Sequence, residues 1–151
     1  MQRRATRRRE SASASETEAL GAQLAAALDA GDAVLVQGEL GAGKTTLVRG
    51  ACRALGVSGP INSPTFTIGQ RYQGSVPIAH MDLFRITDLA DEDPELLADY
   101  LRPDTISFIE LPPLPERARS AVEAEVAALA RIAASISVAH AGGDRRIVEF
   151  S

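Results

Sequence analysis

The stretch Gly38-Glu39-Leu40-Gly41-Ala42-Gly43-Lys44-Thr45 constrains this chain more than any other, because it matches the G-x-x-x-x-G-K-T pattern of a nucleotide phosphate loop. Before it, Ala33-Val34-Leu35-Val36-Gln37 is an apolar run of strand length. After it, Thr45 to Leu55 reads as a helix that stops at Gly56. A strand, a glycine-rich turn and a helix in that order commit the region to an α/β arrangement with the helix N-terminus open to an anion. Gly38, Gly41 and Gly43 let successive backbone N–H groups approach phosphate oxygens with no side chain in the way. Lys44 is the only lysine, the other fifteen of the sixteen basic residues being arginine. A single flexible ammonium thus stands where a point charge must reach the β- and γ-phosphates, and the adjacent Thr45 hydroxyl is placed to bind Mg²⁺. Glu39, Leu40, Gly41, Ala42, Gly43, Lys44, Thr45 and Thr46 are the expected nucleotide-binding residues.

A chain of 151 residues fits one such domain and leaves no room for a second substrate domain. The lone Cys52 lies in the helix after the loop, has no disulfide partner, and reads as a small buried hydrophobe in a reducing compartment. No apolar run reaches the eighteen or so residues needed to cross a bilayer, and residues 1–12 lack the apolar core of a secretion signal, so a cytoplasmic location is expected. Arg3, Arg4, Arg7, Arg8 and Arg9 all precede residue 10. Without them the sixteen basic residues fall far short of the twenty acidic ones, so the body of the protein repels polyanions. Residues 1–12 are expected to be a disordered Arg-rich tail, with an RNA-binding arm as the alternative, and residues 13–151 to be the phosphate-loop domain.

Two strand ends deliver acids. Pro77-Ile78-Ala79-His80-Met81-Asp82 ends on Asp82, and Thr105-Ile106-Ser107-Phe108-Ile109-Glu110 ends on Glu110. Ligands of open α/β sheets gather beyond the carboxyl ends of the strands, so both carboxylates can approach a metal beside Thr45. Asp82 suits metal coordination, and Glu110, which reaches further, suits ordering an attacking water; the assignment can be exchanged, leaving Thr45, Asp82 and Glu110 as the metal-side set. The alternative is that each acid caps a helix or pairs with Arg85 or Arg102. His80 shares a strand face with Asp82 and is read as a structural hydrogen-bonding residue, and His140 as a surface one.

The remaining elements follow from pattern. Ser15-x-x-Glu18 offers a capping box for a helix carrying Leu20, Leu24 and Leu28, which ends at Gly31-Asp32. Residues 57–77 are interrupted by Gly and Pro and read as loops and short edge strands. Asp93 caps, and Pro94 opens, a helix to about Leu101. Val122, Val126, Leu129 and Ile132 mark one apolar stripe of an Ala-rich helix over 116–134. Ser135–Val138 and Arg146–Phe150 flank Gly142-Gly143-Asp144 as a terminal hairpin. The expected fold is a three-layer α/β domain of the phosphate-loop NTPase type, with a mostly parallel central sheet and a C-terminal antiparallel hairpin.

Leu40-Gly41-Ala42-Gly43-Lys44-Thr45-Thr46, Ser63-Pro64-Thr65-Phe66-Thr67, His80-Met81-Asp82-Leu83-Phe84-Arg85 and Phe108-Ile109-Glu110 together resemble, in order and spacing, the TsaE family of bacterial ATPases. The resemblance implies binding of ATP and Mg²⁺ and a supporting role in making N6-threonylcarbamoyladenosine at position 37 of tRNA. That role is carried out with the partners TsaB and TsaD, and tRNA is met only through the complex. It also implies that Lys44 and Thr45 contact phosphate and metal, that Thr65 lies in a switch-like segment near the γ-phosphate, that Asp82 is a metal-side acid, and that Glu110 with Lys44 carries catalysis. The family usually follows this glutamate with tryptophan and proline. Here Leu111 and Pro112 follow it, and the chain has no tryptophan. Two other functions share the phosphate loop: a small-molecule or nucleotide kinase, and an ATP-sensing binding protein that does not hydrolyse.

Overall fold

The computed structural model describes residues 6–62, 69–83 and 95–151. Among the described residues seven strands form one sheet: β1 (Arg7–Ser11), β2 (Asp32–Gln37), β3 (Gly69–Gln73), β4 (Pro77–Asp82), β5 (Ile106–Leu111), β6 (Arg131–His140) and β7 (Arg146–Phe150), in the spatial order β1-β7-β6-β2-β5-β4-β3. The inner four, β6, β2, β5 and β4, are mutually parallel, while the β1–β7, β7–β6 and β4–β3 pairs are antiparallel. The helices are α1 (Ala14–Ala25), α2 (Lys44–Ala54), α3 (Glu95–Tyr100) and α4 (Glu116–Ala127).

Strand alternation sorts the core into two layers. Val34, Val36, Ile78, Ile106, Phe108, Ile136 and Val138 face the side covered by Ala25, Leu47, Val48, Ala51 and Cys52 of α1 and α2. Ala33, Leu35, Met81, Ile109 and Leu111 face the side covered by Leu97 of α3 and Val126 of α4. Helices on both faces of a mostly parallel sheet give the expected three layers, and β2 and β5, buried on both sides, read as continuous apolar runs for that reason. Burial pushes the Cys52 thiol up to about 12, which leaves it an inert core residue. The two helices of the first layer touch through glycine. A Cβ on Gly50 would lie 2.0 Å from the Glu18 carbonyl oxygen, and one on Gly21 would lie 2.1 Å from that of Leu47.

Several expectations are corrected. Residues 7–11 are not a disordered tail but the edge strand β1, paired from Arg7↔Phe150 to Ser11↔Arg146. The open edge of β7 supplies main-chain partners while the arginine side chains stay in water. The helix cap slides two residues upstream: Ser13 Oγ accepts from the Glu16 N–H at 3.2 Å, and the Ala12 N–H donates to Glu16 Oε2 at 2.6 Å. That register leaves Ser11 Oγ within 2.7 Å of Thr17 Oγ1, tying β1 to α1. The Ala-rich helix stops at Ala127 instead of about 134, because Arg131–Ile132 and Ala134 onward pair in parallel with β2. Val126 of the expected stripe is buried, whereas Leu129 is 38% exposed. Asp93 and Pro94 lie outside the described residues.

Candidate nucleotide site

β2 enters the loop at Gln37 and α2 leaves it at Lys44. Gly41 and Gly43 hold φ of +78° and +104°, backbone that L side chains rarely adopt, and Gly43 begins α2 with no side chain capping it. The first N–H groups of α2 therefore point at the loop mouth with no competing side-chain acceptor, which is the arrangement an anion requires. Gly38 is needed for a different reason. A Cβ there would lie 2.4 Å from the Val138 carbonyl oxygen, so only glycine lets the loop run this close to β6. Arg146 of β7 braces the loop from outside, its Nε donating to the Ala42 carbonyl at 2.8 Å.

Lys44 is 6% exposed, and its Nζ donates to the carbonyls of Gly38 at 2.7 Å and Leu111 at 3.1 Å. Burial holds its ammonium below the usual lysine range, and the nearby charges of Glu110 and then Asp82 push back the other way. Both acids thus act on the loop lysine. They do so because Ile78, His80 and Asp82 of β4 and Ile106, Phe108 and Glu110 of β5 alternate onto the α2 face of the sheet, with Asp82 and Glu110 in register on neighbouring strands.

Glu110 is 2% exposed and accepts from the Thr45 hydroxyl at 2.9 Å and 3.0 Å through its two oxygens. Its Oε2 also meets Nε2 of His80, a fully buried ring. On the far side of that ring, His80 Nδ1 lies 3.1 Å from the Tyr72 hydroxyl, which is also 2.8 Å from Gln70 Oε1 and 3.4 Å from the Asn62 carbonyl. Burial first, and the charge of Glu110 among lesser causes, pushes the Tyr72 phenol up to about 12, so it stays protonated.

The structure therefore brings Lys44, Thr45, Asp82 and Glu110 together, while Thr65 lies outside the described residues. Glu39 and Leu40 are exposed at the loop tip, Leu40 by 77%, and Thr46 lies in the first turn of α2. Of the alternative partners, Arg102 donates its Nε to the Asp99 carbonyl, and Arg85 lies outside the described residues. Leu111, standing where tryptophan was expected, turns its side chain away from the loop into the second core layer. Sequence reading missed the contribution of Tyr72, which meets His80 on β4, and of Arg146, whose partner Ala42 lies 104 positions away in the loop. It saw His80 beside Asp82 but not its partner on β5.

Among the described residues no three His, Cys, Asp or Glu side chains converge into a cage for a metal. A hydroxyl flanked by one or two carboxylates is instead the donor set of Mg²⁺, which takes few protein oxygens and completes its shell with water and phosphate.

The TsaE family model, described as threonylcarbamoyl adenosine biosynthesis protein TsaE, matches residues 11–146. The chain belongs to the TsaE family. It is 51% identical over 77 residues to the tRNA threonylcarbamoyladenosine biosynthesis protein TsaE of Synechocystis sp., covering 50% of this chain and 49% of that one. To the protein of the same name from Streptomyces coelicolor it is 43% identical over 94 residues, 60% of this chain and 64% of the relative. The matched stretch thus spans about half to two thirds of these relatives. The crystal structure of Bacillus subtilis YdiB superposes with a TM-score of 0.70 at 27% identity, covering 97% of this chain and 84% of the other. The TsaE match includes β1 only at Ser11, so most of that edge strand falls outside the matched residues.

Proposed function

We propose that this chain is a Mg²⁺-dependent ATPase that supports formation of N6-threonylcarbamoyladenosine in tRNA by acting in a complex with TsaB and TsaD. The observation that carries the reading is the meeting of Thr45 and Glu110, with Asp82 in register beside them and Lys44 under the field of both acids. Phosphoryl transfer to water asks little covalent chemistry of a protein; it asks for charge neutralisation and for a positioned nucleophile. The amides opening α2 and the Lys44 ammonium hold the phosphates, and Glu110 orients the attacking water and draws on its proton. Thr45 and Asp82 would hold Mg²⁺, which when bound supplies a positive charge shared between the phosphate oxygens. Membership of the family supports the tRNA setting, with tRNA reached through the partners, in keeping with the acidic body of the chain. No helix among the described residues is long and apolar enough to cross a membrane.

A kinase reading finds little support in this geometry. Arg71, the arginine available to a lid, sits in β3 with its guanidinium 4.5 Å from the Tyr100 ring centroid and Nη2 donating to the Asp99 carbonyl at 2.7 Å.

The test is single-turnover and steady-state ATP hydrolysis by wild type and Glu110→Gln, each with and without TsaB–TsaD. Glu110→Gln is expected to keep ATP binding and lose roughly a hundredfold or more in turnover. Equal rates for both proteins under every condition would favour a nucleotide sensor that does not hydrolyse.

A further inference from the structure

We infer that His80 is a positioning residue for Glu110, steered in turn by Tyr72, and that this three-residue chain, not the phosphate loop, sets the aim of the hydrolytic carboxylate. The inference rests on the ATPase reading above.

Glu110 starts from a rigid place, since the β5 backbone is paired on both sides. Its side chain still has three rotatable bonds, and the carboxylate must be directed. It is held from one side by the Thr45 hydroxyl and from the other by His80 Nε2. The first hold is shared with the ligand, because Thr45 is also the hydroxyl that would turn to the metal. The second is not shared. His80 sits in the sheet interior with no exposed surface, opposite Phe108 in the ladder. Glu110 as a carboxylate only accepts, so Nε2 carries the proton between them. The ring plane is then held at Nδ1 by the Tyr72 hydroxyl. Tyr72 stands on β3, and its hydroxyl also lies near Asn62 and Gln70. The aim of Glu110 is thereby referred to the β3 edge of the sheet.

A buried histidine serving only to satisfy hydrogen bonds would give the same contacts, so the test separates aim from packing. His80→Leu fills the volume without a donor, His80→Gln offers an amide N–H toward Glu110, and Tyr72→Phe removes the hydroxyl. Each would be compared with wild type and Glu110→Gln for kcat, KM, ATP dissociation constant and thermal unfolding. A misdirected catalytic group loses on the order of a hundredfold in rate. His80→Leu is therefore expected to lose roughly that much in kcat with KM and ATP affinity little changed, and His80→Gln to recover most of it. Tyr72→Phe is expected to lose roughly three- to tenfold, and it serves alone if His80→Leu does not fold.

A folded His80→Leu with wild-type kcat would overturn the inference, and so would a glutamine variant as impaired as the leucine one, or a loss confined to ATP affinity. Nitrogen-15 NMR of the histidine side chains in the ligand-free protein gives a readout independent of turnover. One imidazole N–H protected from exchange should be present, move in Glu110→Gln and Tyr72→Phe, and vanish in His80→Gln; its failure to respond to either neighbour would also refute the inference. If Glu110→Gln hydrolyses ATP as wild type does, the ATPase role of Glu110 fails, while the NMR result still decides whether His80 holds it.

Discussion

Replacing Lys44 with alanine tests the nucleotide assignment most directly, because the structure predicts opposite sensitivities for folding and for binding. The ammonium is buried and donates to two main-chain carbonyls, those of Gly38 and Leu111. Removing it loses those two bonds and leaves Glu110 and Asp82 with less positive charge nearby. It also relieves the burial that holds the lysine below its usual range. These contributions oppose one another, so the melting temperature should change little. Binding loses the charge-assisted contact to the phosphates, net of the two carbonyl bonds that the ammonium would exchange for it. A hydrogen bond to a charged group contributes about 1.5–3 kcal/mol, which corresponds to a loss of roughly ten- to more than a hundredfold in ATP affinity. Isothermal titration with ATP and Mg²⁺, beside a circular-dichroism melt, measures both quantities on one preparation. A folded Lys44→Ala protein that binds ATP as tightly as wild type would refute the assignment of the loop.

Two further outcomes follow from packing and charge. Gly50→Ala places a methyl group 2.0 Å from the Glu18 carbonyl oxygen, where backbone meets backbone and no side chain can step aside. The α1–α2 pair must separate, at a cost of about 3 kcal/mol or roughly 6–12 °C in a thermal melt, and an unchanged melting temperature would show that the helices are not in this contact. Asp32 accepts from Arg131 Nε at 2.7 Å and Nη2 at 3.0 Å and from the Asp29 N–H at 2.8 Å, and the Arg131 hydrogen bonds hold its carboxyl below the ordinary 3.8. A carboxyl lowered on folding lends stability that is complete above its unfolded value and disappears as the pH falls through its folded one. Asp32→Asn should therefore lower stability at neutral pH by about 1 kcal/mol, Arg131 being solvent-exposed, and should flatten the acid limb of urea unfolding midpoints below about pH 4. Parallel acid limbs for the two proteins would refute it.

What the sequence made legible was local. The phosphate loop could be read because strand, turn and helix are contiguous and each residue type in the turn has its own physical reason. The placement of Asp82 and Glu110 could be read because an apolar run closing on a carboxylate marks the carboxyl end of a parallel strand. Their closeness to each other could not, since register between β4 and β5 is a property of pairing across nearly thirty positions. The errors share that origin. Arg7–Ser11 has the composition of a disordered arm and becomes a strand because β7 offers an unpaired edge. Arg131–Ala134 continues an Ala-rich helical pattern and becomes a strand because β2 lies beside it, a tertiary override of propensity. The cap slipped because Ser11, Ser13 and Ser15, with Glu16 and Glu18, present the same spacing in more than one register. Only the bonds made by Ser11 and Ala12 decide among them. Gly21 and Gly50 read as weak points of helices until the helices are placed together.

The side chains of the candidate site hold one another, and this bears on how the site would be used. Lys44 rests on two carbonyls, Thr45 on Glu110, and Glu110 on His80. A triphosphate entering the loop would exchange these contacts for its own instead of adding to an empty set, so part of the gross attraction of the phosphates is offset before any net affinity appears. The exchange is uneven. On the proposed reading Lys44 and Thr45 would give up partners for the nucleotide and its metal, whereas Glu110 would lose Thr45 and keep His80. The carboxylate is thereby released on the side facing the ligand and still held on the side facing the sheet. On the proposed ATPase reading, such a site would bind nucleotide without committing to hydrolysis until the remaining hold has Glu110 aimed. Tyr72 of β3, whose hydroxyl lies near Asn62, Gln70 and His80, is a contact through which the sheet edge can alter that aim. A partner docking on that edge would therefore change kcat before it changed ATP affinity, and a partner that tightened ATP binding without raising turnover would place its action on the loop instead.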